Sequence, residues 1–208
     1  MGSAKPKQLT EMTCSQARSF LLKSENYFDF DLPNYYNFDA MLTAIDWKLD
    51  GKHINGIWTQ EPGDLEGLNH VILHNKDGKY AWRPQQIIHP VIYVALVNAI
   101  TDPEGWDLVR SKFSEFAQDP RIECVSLPVE SNNEQKDKAA QVFSWWQAME
   151  QRSIDLSLDY SFVLNTDVAD CYGSIYTHSI AWALHSKELA KSKEGRNNKS
   201  LLGNQLDF

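Results

Sequence analysis

The sequence predicts an α+β fold in which helices pack on a small antiparallel or mixed sheet. Two observations favour this class. An Asp-Gly pair at residues 77–78 lies between two short apolar runs, which is typical of a β-hairpin because Gly tolerates the positive φ of a tight turn. Further along the chain, apolar runs of strand length alternate with stretches of helical periodicity. The predicted order is hairpin, helices, strand, helix, strand and helix.

The first predicted helix covers Ser15 to Ser24, and Thr13 and Gln16 form its capping box. The stretch from Tyr27 to Phe38 interleaves aromatic residues with Asp and Pro. We interpret it as a packed irregular arm, with base stacking as the alternative.

The hairpin is predicted over Asn69 to Gln86, and Pro84 is expected to end it. Pro90 and Pro103 then each favour a helix start, since Pro is tolerated in the first helical turn. The second of these helices carries an apolar stripe that we predict to be buried. Its members are Trp106, Val109, Phe113 and Phe116.

The second half predicts a strand over Arg121 to Val129, a long amphipathic helix from Gln135 to Arg152, and a strand over Ser161 to Val168. The helix should bury one face, formed by Val142, Trp145, Trp146 and Met149. No shift in composition divides the chain cleanly.

Composition and charge limit the class of protein. The 208 residues are 42% hydrophobic, which is enough for one large domain or two small ones. The chain contains no apolar run of 18 residues and its start is too polar for a signal peptide, so we expect a cytoplasmic protein without a membrane span. Cys14, Cys124 and Cys171 are widely spaced, which predicts reduced thiols.

The net charge of −8 argues against nucleic acid wrapped over the whole surface, because neutralising phosphates requires clustered Lys and Arg. The stretch from Lys187 to Lys199 is different, with five basic and two acidic residues. Either a solvated helix end or a nucleic-acid contact explains it.

Asp167 lies at the exposed end of the predicted strand 161–168, on the opposite face from Phe162 and Leu164. Nucleotidyl transfer by two Mg²⁺ ions requires carboxylates at such a position. Asp170 begins the turn into the next helix, where backbone amides can bind an anion such as a triphosphate. The alternative is that Asp170 only caps that helix.

The segment TDVADCYGSIYTHSIAWALH, Thr166 to His185, resembles the first catalytic palm motif of reverse transcriptases. Its YTHSI portion is especially similar to bacterial reverse transcriptases of antiphage defence and abortive infection. The segment from Lys79 to Val97 is similar to the fingers of the same group. The resemblance implies an RNA-directed DNA polymerase with reverse-transcriptase-like fingers and a partial palm. Residues 1–54 would form an N-terminal arm, 55–120 the fingers and 121–208 the partial palm.

The resemblance also implies a role for each matching residue. Asp167 would bind Mg²⁺, with the backbone carbonyl of Val168 as a further ligand. The main-chain amides of Asp170 and Cys171 would meet the triphosphate of a dNTP. Tyr172 would be the steric gate, whose ring excludes a ribose 2′-OH by clash. The alternative for Tyr172 is an ordinary core tyrosine.

Arg83, together with Lys79, would match the cations of the fingers that hold the triphosphate, a role that suits a guanidinium group. The alternative for Arg83 is a surface charge on the hairpin. The implied partners are an RNA template, a DNA product and a dNTP, with no membrane.

Two reverse-transcriptase motifs are missing from these 208 residues: the tyrosine-x-Asp-Asp motif that supplies a second metal-binding Asp, and a glutamine-glycine motif. A single carboxylate cannot hold two Mg²⁺ ions for in-line displacement, so we expect this chain alone to lack polymerase activity. We expect the chain, which ends at Phe208, to be the N-terminal part of a longer polymerase. The alternatives are half of a split polymerase that needs a partner chain or oligomer, and a non-catalytic interaction module.

Overall fold

The computed structural model describes residues 6–28, 32–33, 35–53, 67–75, 82–131, 137–169 and 171–206. Within these ranges helices predominate, accompanied by two small antiparallel sheets of two strands each. The coarse prediction of an α+β fold is therefore confirmed. None of the helices in these ranges is both long enough and apolar enough to cross a lipid bilayer.

The N-terminal part contains strand β1 (Lys7–Gln8) and helices α1 (Cys14–Leu21), α2 (Ser24–Tyr27) and α3 (Asp39–Leu49). The predicted capping box at the start of α1 is confirmed. The N–H of residue 16 donates to Thr13 Oγ1 at 3.3 Å, and the N–H of residue 13 donates to Gln16 Oε1 at 3.1 Å. Helix α3 was not predicted.

The predicted hairpin is confirmed as strands β2 (His70–Asn75) and β3 (Trp82–Ile87), which pair antiparallel. Its turn lies outside the described residues. The prediction that Pro84 ends the hairpin is wrong, because Pro84 lies inside β3 opposite Leu73. Since this sheet has two strands, β3 has a free edge, and an edge strand tolerates Pro because an outward N–H makes no ladder bond.

Helices α4 (Pro90–Thr101) and α5 (Pro103–Phe116) both begin at Pro, as predicted. Helix α4 is the central element of the core and packs against α1 and α3. Its buried side chains join residues from α2 and α3 in one apolar cluster. The buried members of this cluster are Tyr27, Leu42, Tyr93, Val94 and Val97.

The aromatic arm is packed at its two ends. The Tyr27 ring lies 4.8 Å from the Tyr93 ring and 5.4 Å from the Phe38 ring, both in edge-to-face geometry. Between these ends, Tyr35 and Tyr36 are exposed. The expected packing therefore holds for the ends of the arm.

The stripe predicted to be buried on α5 is buried only at its start. Trp106 is buried against Met12, and its Nε1–H donates to the carbonyl of residue 12 at 2.9 Å. Phe113 and Phe116 are exposed, so the prediction is wrong for them. The reason is that the packing partners of α5, including α1, cover the N-terminal half of this helix.

Strand β4 (Val129–Glu130) pairs with β1. Only Val129 of the strand predicted over 121–129 lies in it, and the prediction is wrong for residues 121–128. Helix α6 (Asp137–Asp159) follows and is seven residues longer at its C-terminal end than predicted. The face predicted to be buried is exposed, because α6 packs on α2 and β4 through its first turns. The exposed residues of that face are Val142, Trp145, Trp146 and Met149.

The C-terminal part consists of short helices: α7 (Cys171–Ser174), α8 (His178–His185), α9 (Lys187–Lys191), α10 (Lys193–Asn197) and α11 (Leu202–Leu206). Helix α11 packs on α8 and also contacts α4. A small apolar cluster of Ala99, Leu184 and Leu202 joins these three helices. The cluster fixes the C-terminal helices on the core.

Candidate functional site

Asp167, the residue predicted to bind the first metal ion, lies in an irregular segment of residues 160–169 between α6 and α7. Its side chain is exposed, and its Oδ1 accepts a hydrogen bond of 2.8 Å from the N–H of Val168. The strand predicted over Ser161 to Val168 does not form, and that prediction is wrong. The carboxylate therefore stands on a loop rather than at the end of a strand.

The absence of this strand has a physical cause. A strand needs a neighbour that accepts and donates its backbone hydrogen bonds. Within the described ranges, β1 and β4 pair with each other and so do β2 and β3, and none of them pairs with residues 160–169. The apolar side chains of Phe162, Val163 and Leu164 are consequently 95%, 75% and 89% exposed. No face of this segment is buried.

The residues next to Asp167 are accessible where the structure describes them. Val168 is exposed, and Cys171, also exposed, begins the four-residue helix α7. Asp170 lies outside the described residues, and so does the side chain of Tyr172. The roles proposed for these residues at the triphosphate and the sugar therefore stay predictions.

Arg83 lies in β3 opposite His74, and its side chain is exposed. In the described part of the chain no carboxylate forms an ion pair with it, so its guanidinium is available to an anion. Lys79 lies outside the described residues. Across the described ranges, no hydrogen bond, ion pair or ring contact joins the hairpin to residues 160–169. The structure thus does not bring Arg83 and Asp167 together.

Asp167 belongs to no cluster of three metal-ligating side chains in the part of the chain that the structure describes. Over the ranges given above, no three His, Cys, Asp or Glu side chains come close enough to hold a metal ion. Mg²⁺ in a two-metal site requires carboxylate ligands that bridge both ions. Asp167 could supply one such ligand.

A second feature lies just C-terminal to α7, where α8, α9, α10 and α11 enclose a pocket of about 460 Å³. We call it the aromatic-basic pocket. Apart from two alanines, it is lined by Tyr176, His178, Trp182, Lys191, Arg196 and Asn204. The sequence indicated the basic stretch 187–199 but not its aromatic partners, which precede it in the chain. The sequence feature that could have indicated this pocket is the group Tyr176, His178 and Trp182, which comes shortly before the basic stretch.

The chain matches none of the models of known protein families, and it matches no curated protein. The functional assignment therefore depends on the sequence motifs and on the chemistry of the described residues.

Proposed function

We propose that the chain carries the fingers and the first palm motif of an RNA-directed DNA polymerase of the antiphage-defence type. Asp167 would bind Mg²⁺ beside a dNTP, and the remaining catalytic carboxylate would come from outside these 208 residues. The resemblance of Thr166 to His185 and of Lys79 to Val97 is the basis of the proposal. The segment proposed as the fingers contains a hairpin followed by two helices that begin at Pro.

The observation that carries the proposal is the uncovered apolar segment leading to Asp167. Burying a large apolar side chain contributes roughly 1.5–3 kcal/mol. Burial of the three exposed side chains Phe162, Val163 and Leu164 would therefore stabilise the protein by on the order of 5–9 kcal/mol. Additional strands beside residues 161–168 would recover this energy. In a polymerase palm those strands also place the second carboxylate close to the first.

The proposed chemistry assigns separate tasks to the residues at this site. Mg²⁺ held by Asp167 would offset the charge that develops on the phosphate oxygens during in-line attack. Arg83 would hold the β- and γ-phosphates with paired N–H donors. Tyr172 would select a deoxyribose by steric exclusion. Arg83 and Asp167 would act on different parts of the same nucleotide.

A second candidate is a non-catalytic interaction module. It is favoured by α6, a helix about 35 Å long that leaves apolar residues exposed along most of its length. Phe143, Trp146 and Leu158 are all well exposed, and a soluble protein rarely leaves so much apolar surface uncovered unless a partner binds there.

The two candidates are separated by the composition of the natural assembly. We would purify the natural gene product from its host and determine the sequence of every chain by mass spectrometry. The polymerase proposal expects a tyrosine-x-Asp-Asp motif, either in the same polypeptide or in a stoichiometric partner. An assembly in which no chain carries that motif would overturn the polymerase proposal and favour the interaction module.

A further inference from the structure

The aromatic-basic pocket concentrates positive charge in an acidic protein. Lys191 and Arg196 line it, and no carboxylate contributes to its described lining. Neither cation forms an ion pair with any residue in the described ranges. The whole chain has a net charge of −8, so this uncompensated grouping is not a consequence of composition. An anion is the ligand whose charge complements these cations.

Trp182 contacts one of the two cations that line this pocket, Lys191, and also Lys187. The Lys191 Nζ lies 4.9 Å from the centroid of the Trp182 ring, and the Lys187 Nζ lies 5.2 Å from it. Both distances fit a cation–π interaction, which holds an ammonium group without neutralising it. The positive charge therefore remains available to a ligand.

The pocket also offers an aromatic surface beside the cations. The Tyr176 ring packs edge-to-face on His178 at 4.9 Å and lies 5.5 Å from the Trp182 ring. Despite these contacts, Tyr176 is 58% exposed. Its ring is fixed by its neighbours and open to solvent, which is the arrangement on which a planar ligand stacks.

We propose that the aromatic-basic pocket binds a nucleotide unit, with the base stacked on Tyr176 and the phosphate held between Lys191 and Arg196. Inorganic phosphate or an acidic peptide would use the cations but not the ring. A nucleotide uses both, and a pocket of about 460 Å³ accommodates it. The site uses neither Asp167 nor Arg83, so it does not rest on the proposed polymerase activity.

Isothermal titration calorimetry at low ionic strength tests the proposal. The probes are AMP, inorganic phosphate and a single-stranded adenine tetranucleotide, all with EDTA present so that a metal-dependent site stays silent. We expect AMP to bind more tightly than phosphate. Tighter binding of the tetranucleotide than of AMP assigns the site to a strand, and equal binding assigns it to a free nucleotide. If AMP binds no better than phosphate, the proposal is overturned.

Matched variants locate the binding. Lys191→Gln with Arg196→Gln should weaken AMP binding at least about tenfold, because two phosphate contacts are lost. The control, Lys48→Gln with Lys52→Gln on an exposed part of the chain, removes the same charge and should leave the affinity unchanged. Equal affinities for the two double variants would overturn the proposal.

The stacking contact has its own test. Tyr176→Ala should weaken AMP binding by about 5- to 100-fold and leave phosphate binding unchanged, whereas Tyr176→Phe should retain the affinity. Thermal unfolding of each variant confirms that the fold is retained. If Tyr176→Ala binds AMP as the natural sequence does, the base does not stack there and the proposal fails.

Discussion

Replacing Asp137 with Asn should destabilise the protein, because this carboxylate connects the start of α6 to the N-terminal helices. Asp137 is 2% exposed. Its Oδ2 accepts a hydrogen bond of 2.7 Å from Lys23 Nζ, and its Oδ1 accepts one of 2.6 Å from the N–H of Ser131. The amide of Asn retains an acceptor for the backbone but loses the charge that pairs with Lys23.

The expected loss in the free energy of unfolding follows from these contacts. A hydrogen bond to a charged group contributes about 1.5–3 kcal/mol, and removing one partner of a fully buried pair costs about 3–5 kcal/mol. The upper range does not apply, because the Lys23 side chain is 34% exposed and keeps a contact of 2.9 Å with Glu130. We therefore expect a loss of about 2 kcal/mol in the free energy of unfolding. For a chain of this length that lowers the Tm by about 4–8 °C.

The stability that Asp137 contributes depends on pH in a defined direction. Burial raises the pKa of Asp137, but the hydrogen bonds from Lys23 and Ser131 outweigh it and hold the pKa below its usual value. A depressed pKa contributes stability above the unfolded-state value of about 3.9, and this stability is lost as the pH falls through the folded-state pKa. The natural sequence and Asp137→Asn should therefore converge in stability in acid.

Ionisation of Glu25 has the opposite effect on stability. Burial and the charge of Asp137 raise the pKa of Glu25, so its ionisation opposes folding above about pH 4.3. Asp137→Asn relieves this repulsion in part, which is a further reason to expect the lower end of the energy range.

Thermal unfolding followed by circular dichroism measures the effect at neutral pH and in acid. Asp155→Asn is the matched control, because it makes the same chemical change on an exposed position of the same helix and should leave the Tm unchanged. If Asp137→Asn unfolds at the same temperature as Asp155→Asn, the ion pair of Asp137 with Lys23 does not stabilise the fold.

Three other predictions concern packing, titration and the exposed face of α6. Gly203→Ala should lower the free energy of unfolding by about 1–3 kcal/mol, because its new Cβ would lie 2.5 Å from the Cα of Ala181; unchanged urea denaturation would contradict this. Burial lowers the pKa of His185, whose Nε2 accepts a hydrogen bond of 3.0 Å from the N–H of Gly203. Neutral His185 should therefore raise the Tm above about pH 6.5, and this stabilisation should be lost as the pH falls through the folded-state pKa. The variant His185→Phe should lack this pH-dependent change in Tm. Trp146→Glu with Leu158→Glu should reduce binding of a hydrophobic dye to the 208-residue chain, and undiminished dye fluorescence would show that this face is not the exposed surface.

Local signals in the sequence predicted local structure correctly. The Thr13 capping box, the pairing of β2 with β3 and the helices that begin at Pro90 and Pro103 were all predicted from signals close together in the sequence. Their conformations are decided mainly by backbone geometry and side-chain caps, which a single sequence displays directly.

The predictions that were wrong depended on distant partners. The apolar face of α6 and the alternation at 161–168 both indicate burial, but burial requires a second surface that faces them. The same applies to Phe113 and Phe116 on α5. A pattern shows that a side chain would gain energy from burial and does not identify the element that covers it.

At the candidate site, too, the sequence displayed single residues but not the partners that the fold brings to them. The sequence predicted Asp167 as a metal ligand, and the structure shows only that its side chain is exposed. The aromatic-basic pocket was missed because Tyr176, Lys191 and Arg196 lie on different elements and meet only when α8 to α11 pack together.

Asp167 is proposed as a catalytic carboxylate of a nucleotidyl transferase. Incorporation of labelled dNTPs with Mg²⁺, with and without an RNA template and primer, tests it most directly in the complete natural gene product. Asp159→Asn, an exposed carboxylate change eight residues upstream, is the control. We predict that Asp167→Ala abolishes incorporation, that the control retains it, and that the 208-residue chain alone has none. Full incorporation by Asp167→Ala would show that Asp167 is not catalytic. Asp167-dependent incorporation by the 208-residue chain alone would show that no further carboxylate from outside this chain is needed.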